Sequence, residues 1–355
     1  MIKEGIQKLV NQSDLTYEES KLVMKEIMSG KTTNTQIGAF LTALRMKGET
    51  ADEITAFTSV MKEFCCRIQP KIKGRLVDTC GTGGDKVKTF NISTCAAFVA
   101  AGANVFVAKH GNRSVTSKCG SADVLERLGL NLNIEPEMTE KAIEEVGIGF
   151  MFAPKFHPAM KYAIGPRREM GIRTVFNVLG PLTNPANSNA QLLGVYNKKL
   201  TEPIAHSLKK LGCEEAMIVH GLDGLDEIST VGKTIVSWLR KGKVKTKEMT
   251  PEDFGVNKVK IKDIKGASVD ESAEIAFKIL TGYFNSNHPK REIVQLNGAA
   301  AIIVAGKAND FTDGLELANE SIESGKAYKK LKELIEFSQG DNSRLKGITI
   351  LKINV

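Results

Sequence analysis

No stretch of the chain approaches the roughly 18 consecutive apolar residues of a membrane span, and residues 1–10 are interrupted by charge at Lys3, Glu4 and Lys8. Neither a transmembrane segment nor a signal peptide is expected. Cysteine is sparse: Cys65, Cys66, Cys80, Cys95, Cys119 and Cys213 show neither zinc-ligand nor thioredoxin-type spacing, which predicts reduced thiols in a cytoplasmic protein. A contiguous basic stripe is also missing, although the formal net charge is +8 and the pI is near 9.0. That balance suits nucleic-acid binding or an enzyme whose substrate carries several phosphate charges, and composition does not choose between them. Lys241, Lys243, Lys245 and Lys247 alternate as one solvated strand face would.

What is present is ordinary globular material. A hydrophobic share of 42% and a charged share of 25% exclude a disordered, collagenous or fibrous chain, and 355 residues favour two domains or one large domain with an appendage. Residues 1–70 read as helices only. Thr16 with Glu19 fits a capping box, Val23 and Ile27 share a face, and Gly30 ends the segment. Ile37, Phe40, Leu41 and Leu44 make a second stripe closed by Gly48; Ile54, Phe57, Met61, Phe64 and Ile68 make a third, closed before Pro70. So few helices bury their faces poorly alone, and a helical dimer interface is expected in addition to an intramolecular core.

From Arg75 short apolar runs alternate with helical patterns, the signature of a parallel sheet with crossover helices. Strands are predicted at 76–77, 105–108, 148–152, 191–196, 216–220 and 235–239, and helices at 93–101, 122–128, 271–280, 293–305 and 312–324. Ligands of open α/β sheets bind beyond the carboxyl ends of the strands, so the loops after these runs are where chemistry belongs.

The first such loop reads Asp78-Thr79-Cys80-Gly81-Thr82-Gly83-Gly84-Asp85, with a helix beyond Asn91-Ile92-Ser93-Thr94. Glycines between strand and helix let backbone amides approach an anion, and the helix N-terminus adds a positive dipole. A phosphate or pyrophosphate cradle and a tight capped turn both fit; the spacing is neither a Walker loop nor a dinucleotide fingerprint. The second loop, Lys109-His110-Gly111-Asn112-Arg113-Ser114 followed by Ser117-Lys118-Cys119-Gly120-Ser121, sets two cations and several hydroxyls around glycines, a second anion site or a cluster of surface charges with a packed histidine. The third segment holds His157-Pro158-Ala159-Met160, Gly165-Pro166-Arg167-Arg168 and a proline-rich stretch at 176–185. A helix starting at Pro158 would carry Arg167 several turns away, and the proline-rich stretch reads as a rigid connection. In the fourth, Gly221-Leu222-Asp223-Gly224-Leu225-Asp226-Glu227, adjacent carboxylates suit magnesium beside pyrophosphate, or simply a solvated acidic turn.

Taken together and in order, Gly81-Thr82-Gly83-Gly84-Asp85, Phe90-Asn91-Ile92-Ser93-Thr94, Lys109-His110-Gly111-Asn112-Arg113, the block at 120–126, His157-Pro158-Ala159-Met160 and the block at 177–185 resemble the anthranilate phosphoribosyltransferase family over nearly the whole chain. The resemblance implies an α/β protein with a small helical domain at 1–72, joined by a later helical contribution at about 160–182, and a large α/β domain with a mainly parallel sheet at 73–355. It implies transfer of the 5-phosphoribosyl group of phosphoribosyl pyrophosphate to anthranilate, a homodimer formed through the helical domain, and two magnesium ions per monomer. On this resemblance phosphoribosyl pyrophosphate is bound by Gly81, Thr82, Gly83, Gly84, Asp85, Thr89, Asn91, Ser93, Thr94, Lys109, His110, Gly111, Asn112 and Ser121. Anthranilate meets Gly81, His110, Asn112, His157, Arg167 and Gly180, with Arg167 on its carboxylate, and the metal is held by Ser93, Asp226 and Glu227.

Two departures stand out. Lys86-Val87-Lys88 follows Asp85 where many members carry glycine, and Cys119 stands where serine is frequent. The alternatives are a pyrimidine-nucleoside phosphorylase of the same fold, against which the 109–113 block and the Asp226-Glu227 pair argue, and a nucleic-acid-binding paralogue without activity. No conspicuous general base is present. None is required, since an aromatic amine is a neutral nucleophile at pH 7 and the catalyst can act by positioning and leaving-group stabilisation.

Overall fold

The computed structural model describes residues 1–84, 87–114, 119–266 and 268–350, the side chains of 349 and 350 excepted. Its frame is a seven-stranded sheet. The strands are β1 (Leu76–Gly81), β2 (Phe106–Gly111), β3 (Ile148–Phe152), β4 (Ala190–Gly194), β5 (Glu215–Gly221), β6 (Thr234–Arg240) and β7 (Lys243–Met249), in the order β3-β2-β1-β4-β5-β6-β7. The first five are parallel; β6 and β7 extend the sheet as an antiparallel hairpin. The lysine alternation at 243–247 lies on this largely exposed edge strand, as expected of a solvated face that discourages edge pairing.

Because side chains alternate across a strand, β1, β4 and β5 feed two main cores, while Ala108 of β2 and Met151 of β3 turn into a third, smaller cluster with Ile68, Ile143 and Phe156. Val77, Val107, Leu192, Met217 and Val219 join the helices Ile92–Gly102 and Pro289–Val304 in the larger one. Cys80, Leu193, Ala216 and Ile218 join the N-terminal helices in the other, together with the helices Val175–Leu182 and Thr201–Lys210. The helix Thr201–Lys210 lies against Ala51–Glu63, where the Ser207 hydroxyl donates to the Ala51 carbonyl at 2.9 Å and Lys210 pairs with Asp52.

The N-terminal helices form where their caps place them. Thr16, Thr33 and Thr50 each open a helix with a complete capping box, and Gly48 closes Asn34–Lys47. The third stripe is shorter than its periodicity suggests. The helix Ala51–Glu63 stops at Phe64, and Ile68 lies beyond it, its amide donating to the Pro185 carbonyl. The helical run does begin at Pro158: a 3-10 turn, Pro158–Met160, leads directly into the helix Lys161–Met170, which carries Arg167 and packs on Asn34–Lys47. One further reading is corrected. Much of the proline-rich stretch is itself the helix Val175–Leu182, opened by Thr174 and buried on both sides, with Pro181 in its last turn.

Candidate active site

Register aligns the carboxyl ends of the central strands, with Gly81 opposite Gly194 and Gly111 opposite Phe152. At β1 the chain turns through Gly83 and Gly84, both at positive φ (70° and 85°), conformations that L side chains rarely adopt. Thr82 anchors this turn to β4: its amide donates to the Gly194 carbonyl at 2.9 Å and its hydroxyl accepts from the Tyr196 amide at 3.0 Å. Gly81 is required for close approach, since a Cβ there would lie 2.8 Å from Asp226 Oδ2.

The acidic loop therefore reaches the glycine turn. Asp226 lies against Gly81, while Glu227 Oε1 accepts the Ser93 amide at 3.1 Å, at the first turn of Ile92–Gly102. Behind this corner the Ser93 carbonyl accepts the Thr79 hydroxyl at 2.9 Å, and the Thr79 carbonyl accepts Lys109 Nζ at 2.6 Å. Ser93, Asp226, Glu227 and Lys109 are thus gathered at one corner. The buried Thr94 hydroxyl has no partner among the described residues, as a group kept for a ligand would. Among the described residues no set of three or more His, Cys, Asp or Glu side chains is assembled to hold a metal by itself. Two adjacent carboxylates beside an anion cradle nonetheless fit magnesium, which takes one or two protein carboxylates and completes its shell with water and substrate phosphates.

Beneath the corner lies a buried polar pair. Asp78 accepts from Asn184 Nδ2 at 2.8 Å and from the His110 amide at 3.3 Å. Burial pushes its carboxyl up to about 6, against the opposing pull of Lys109, and burial likewise lowers the Lys109 ammonium, which Asp78 partly restores.

The second loop differs in part from expectation. Arg113 is not free to meet an anion: its guanidinium grips Glu126 through both terminal nitrogens (2.7 and 2.8 Å) and Asp123 at 3.0 Å. Its role is to close the loop on the helix Ser121–Arg127, where Asp123 also accepts the Ser114 and Gly120 amides. Gly111, Asn112 and Ser121 remain at the strand end, the first turn of that helix resting on the Asn112 carbonyl through the Ala122 amide at 3.2 Å. Cys119 keeps a hydrogen bond where serine is frequent, its thiol donating to Asn91 Oδ1 at 3.2 Å; burial pushes that thiol to about 11, so it stays protonated. Asp85, Lys86, Ser117 and Lys118 lie outside the described residues. Of the remaining residues after Asp85, Val87 is buried in the larger core, the Lys88 carbonyl accepts the Gly266 amide, and Thr89 bridges to Lys265, so this stretch is anchored.

The third segment delivers a compact histidine pair. The rings of His110 and His157 lie 4.9 Å apart, tilted by 47°. His110 Nδ1 is 3.2 Å from the Gly180 carbonyl, which can only accept, so the ring proton sits on Nδ1 and leaves Nε2 bare. Nε2 of both rings is buried without a partner among the described residues. Burial lowers His110 well below the usual imidazole range, helped by His157, and brings His157 to about 4, so both are neutral at pH 7. Arg167 stacks over Phe176 at 5.2 Å, on the helix that carries Gly180. Burial lowers its guanidinium, and it forms no ion pair with any described residue.

The neutral histidine has a consequence for stability. His157 in the folded chain titrates below the unfolded value near 6.5, so unfolding takes up a proton between that value and about 4. Its stabilising contribution is complete above pH 6.5 and is lost as pH falls towards 4, by about 3 kcal/mol in all. Asp78 acts in the opposite sense, because its raised pKa makes the folded chain take up a proton below about 6. The difference in unfolding free energy between the parent and His157→Asn, measured by urea titration from pH 7.5 to 4.5, isolates the histidine. It is expected to shrink on acidification, and a flat difference would contradict the assignment.

Arg173 escaped the sequence reading. Its Nη2 donates to the Gly84 carbonyl at 2.6 Å while its guanidinium lies 4.7 Å over Tyr196, tying the glycine turn to the chain between the helices Lys161–Met170 and Val175–Leu182. No spacing pointed to it, as its partners are far away in sequence. Asp78 left a fainter trace, a carboxylate inside an apolar strand.

Comparison with known proteins agrees with this geometry. Residues 73–328 match the glycosyl transferase family, a/b domain, and residues 3–65 the glycosyl transferase family, helical bundle domain. The anthranilate phosphoribosyltransferase of Methanocorpusculum labreanum is 54% identical over 342 residues, covering 96% of this chain and 99% of the relative. The solved anthranilate phosphoribosyltransferase of Thermus thermophilus superposes with a TM-score of 0.88 at 39% identity, covering 94% of this chain and 99% of that one. That of Saccharomyces cerevisiae, solved in complex with PRPP and Mg, gives 0.86 at 29% identity and covers 95% and 98%.

Proposed function

The chain belongs to the anthranilate phosphoribosyltransferase family, transferring the 5-phosphoribosyl group of phosphoribosyl pyrophosphate to the amine of anthranilate in tryptophan synthesis, and we propose how its residues share that work. The pyrophosphate end of the donor rests on Gly81, Thr82, Gly83 and Gly84 and on the start of Ile92–Gly102, with Asn91, Ser93 and Thr94 as its polar contacts. Asp85 and Thr89 complete that end. Lys109, Gly111, Asn112 and Ser121 serve the phosphoribosyl portion from the neighbouring strand end, next to His110. Arg173 holds Gly84 and so fixes the direction in which the turn presents its amides.

Anthranilate lies against His110, His157, Gly180, Asn112 and Gly81, with its carboxylate on Arg167. The observation that carries this reading is the half-buried Arg167 guanidinium, in no ion pair with any described residue and stacked on Phe176, on the same helix as the carbonyl that orients His110. A cation left without an acid in a partly desolvated place is costly unless the ligand supplies the anion. The bare Nε2 of a neutral His110 can accept an amine N–H, which orients the nitrogen without requiring a strong base.

Ser93, Asp226 and Glu227, gathered beside the glycine turn, would hold magnesium, two ions per monomer on this reading, which would neutralise the charge developing on pyrophosphate. The S. cerevisiae relative, solved with PRPP and Mg, supports the metal. Mixing the protein with anthranilate, phosphoribosyl pyrophosphate and magnesium tests the function: anthranilate fluorescence should disappear only when all three are present. Phosphate-dependent cleavage of a nucleoside in its place would reverse the reading.

The enzyme acts as a cytoplasmic homodimer. Six free thiols suit a reducing compartment, and no described helix is long and apolar enough to cross a membrane. The dimer is supported by a groove of about 370 Å³ on the helical domain, lined by Leu9, Val10, Ala39, Ala43, Met46 and Met170, with Met46 exposed to 75% and Val10 to 64%. Exposed apolar side chains gathered around one groove mark an interaction surface. Met46→Glu is expected to convert the dimer into a monomer in light scattering at micromolar concentration. A parent protein that is already monomeric would end this reading.

A further inference from the structure

At the opposite end of the sheet from the glycine turn, where β1 and β4 begin, the linker leaving the N-terminal helices folds around a cavity of about 450 Å³. This is the size of a small-molecule site. Its apolar wall is made by Ile68, Ile72, Leu76 and Pro185, and Lys62 and Arg67 stand over it. Neither cation forms an ion pair with any described residue: Lys62 Nζ donates to Asn187 Oδ1 at 2.9 Å and Arg67 Nε to the Lys62 carbonyl at 2.8 Å. Nearby carboxylates are engaged elsewhere. Glu63 pairs with Lys25, and Glu140 and Glu144 accept the linker amides of Gln69 and Lys71. Burial lowers the Lys62 ammonium, opposed by the Cys213 and Cys65 thiols and reinforced by the neighbouring Arg67 charge.

We propose that this hinge cavity binds a small organic monocarboxylate, its anionic head between Lys62 and Arg67 and its hydrocarbon body against Ile68, Ile72 and Leu76. The apolar wall favours a carboxylate with a hydrocarbon body over inorganic phosphate, which would leave that wall exposed to water. The site is connected to the reaction centre by one side chain. Asn184 lines the cavity and donates through Nδ2 to both Asp78 and the Ala108 carbonyl, and Asp78 in turn accepts the His110 amide. A carboxylate seated here braces the linker between the helical and α/β parts and, through Asn184, the strand that carries His110.

Cys65 lines the same cavity and reports on it. In the full-length protein, alkylation of Cys65 by iodoacetate and by neutral iodoacetamide is followed by peptide mass spectrometry. A site that concentrates anions raises the iodoacetate rate relative to iodoacetamide, and the ratio is expected to fall roughly tenfold in Lys62→Met/Arg67→Met. In the parent, millimolar 3-methylbutanoate should slow iodoacetate labelling; in the double variant it should not. Lys62→Gln alone replaces the double variant should circular dichroism show that one unfolded. A ratio that is the same in parent and variant, or labelling unaffected by about 50 mM 3-methylbutanoate, a concentration well above the Kd expected of a specific small-ligand site, overturns the proposal. Both readings are independent of the transfer reaction.

Discussion

Replacing Asp226 and Glu227 together with alanine is expected to lower kcat on the order of 10²- to 10³-fold and to change its dependence on magnesium, with KM for anthranilate close to the parent value. Pyrophosphate carries several negative charges, and two carboxylates facing it would repel it unless a cation stood between them. Glu227 also caps the Ser93 amide, so its loss costs stability as well, about 1 kcal/mol for a cap. The two effects separate in one measurement. Initial rate is titrated against magnesium for parent and double variant and corrected for the folded fraction at each point. Superimposable curves would mean that the acidic pair is structural and that magnesium binds elsewhere.

Arg167→Gln should cost about 2 to 5 kcal/mol in kcat/KM for anthranilate, roughly 30-fold to several thousand-fold, with KM for phosphoribosyl pyrophosphate little changed. Glutamine keeps hydrogen-bonding capacity and much of the length but removes the charge that a carboxylate needs in a poorly solvated site. The stacking of Arg167 on Phe176 contributes packing, so a small loss of stability accompanies the substitution. Aniline, which lacks the carboxylate, supplies the control: its slow turnover should be nearly equal in parent and variant. Equal damage to both Michaelis constants would remove Arg167 from this role.

Much of the frame was legible because it depends on local rules. The run at 148–152 is β3 with the same limits, and the other predicted strands fall on β1, β2, β4, β5 and β6 within a few residues. Threonines at helix starts and glycines at helix ends act on the backbone beside them, so Thr16 and Gly48 could be read directly. The pattern failed where packing overrode it. Ile68 continues the apolar period of Ala51–Glu63 but belongs to the linker, and the proline-rich stretch reads as a rigid connection although tertiary burial holds Val175–Leu182 as a helix with Pro181 in its last turn.

The site divides in the same way. Chain order and residue type determined, without any structure, that glycine turns, a Lys-His block and an acidic pair follow strands of one parallel sheet, because strand direction obliges those loops to share an edge. Only the tertiary structure decided which charges are spent and which are free. Arg113 is consumed by Glu126 and Asp123, Lys109 is held beside Asp78 under Thr79, Arg173 reaches Gly84, and Arg167 meets no acid among the described residues. The physical reason is that a charge's partner and its desolvation are set by groups brought close through folding, and no periodicity along the chain encodes that proximity.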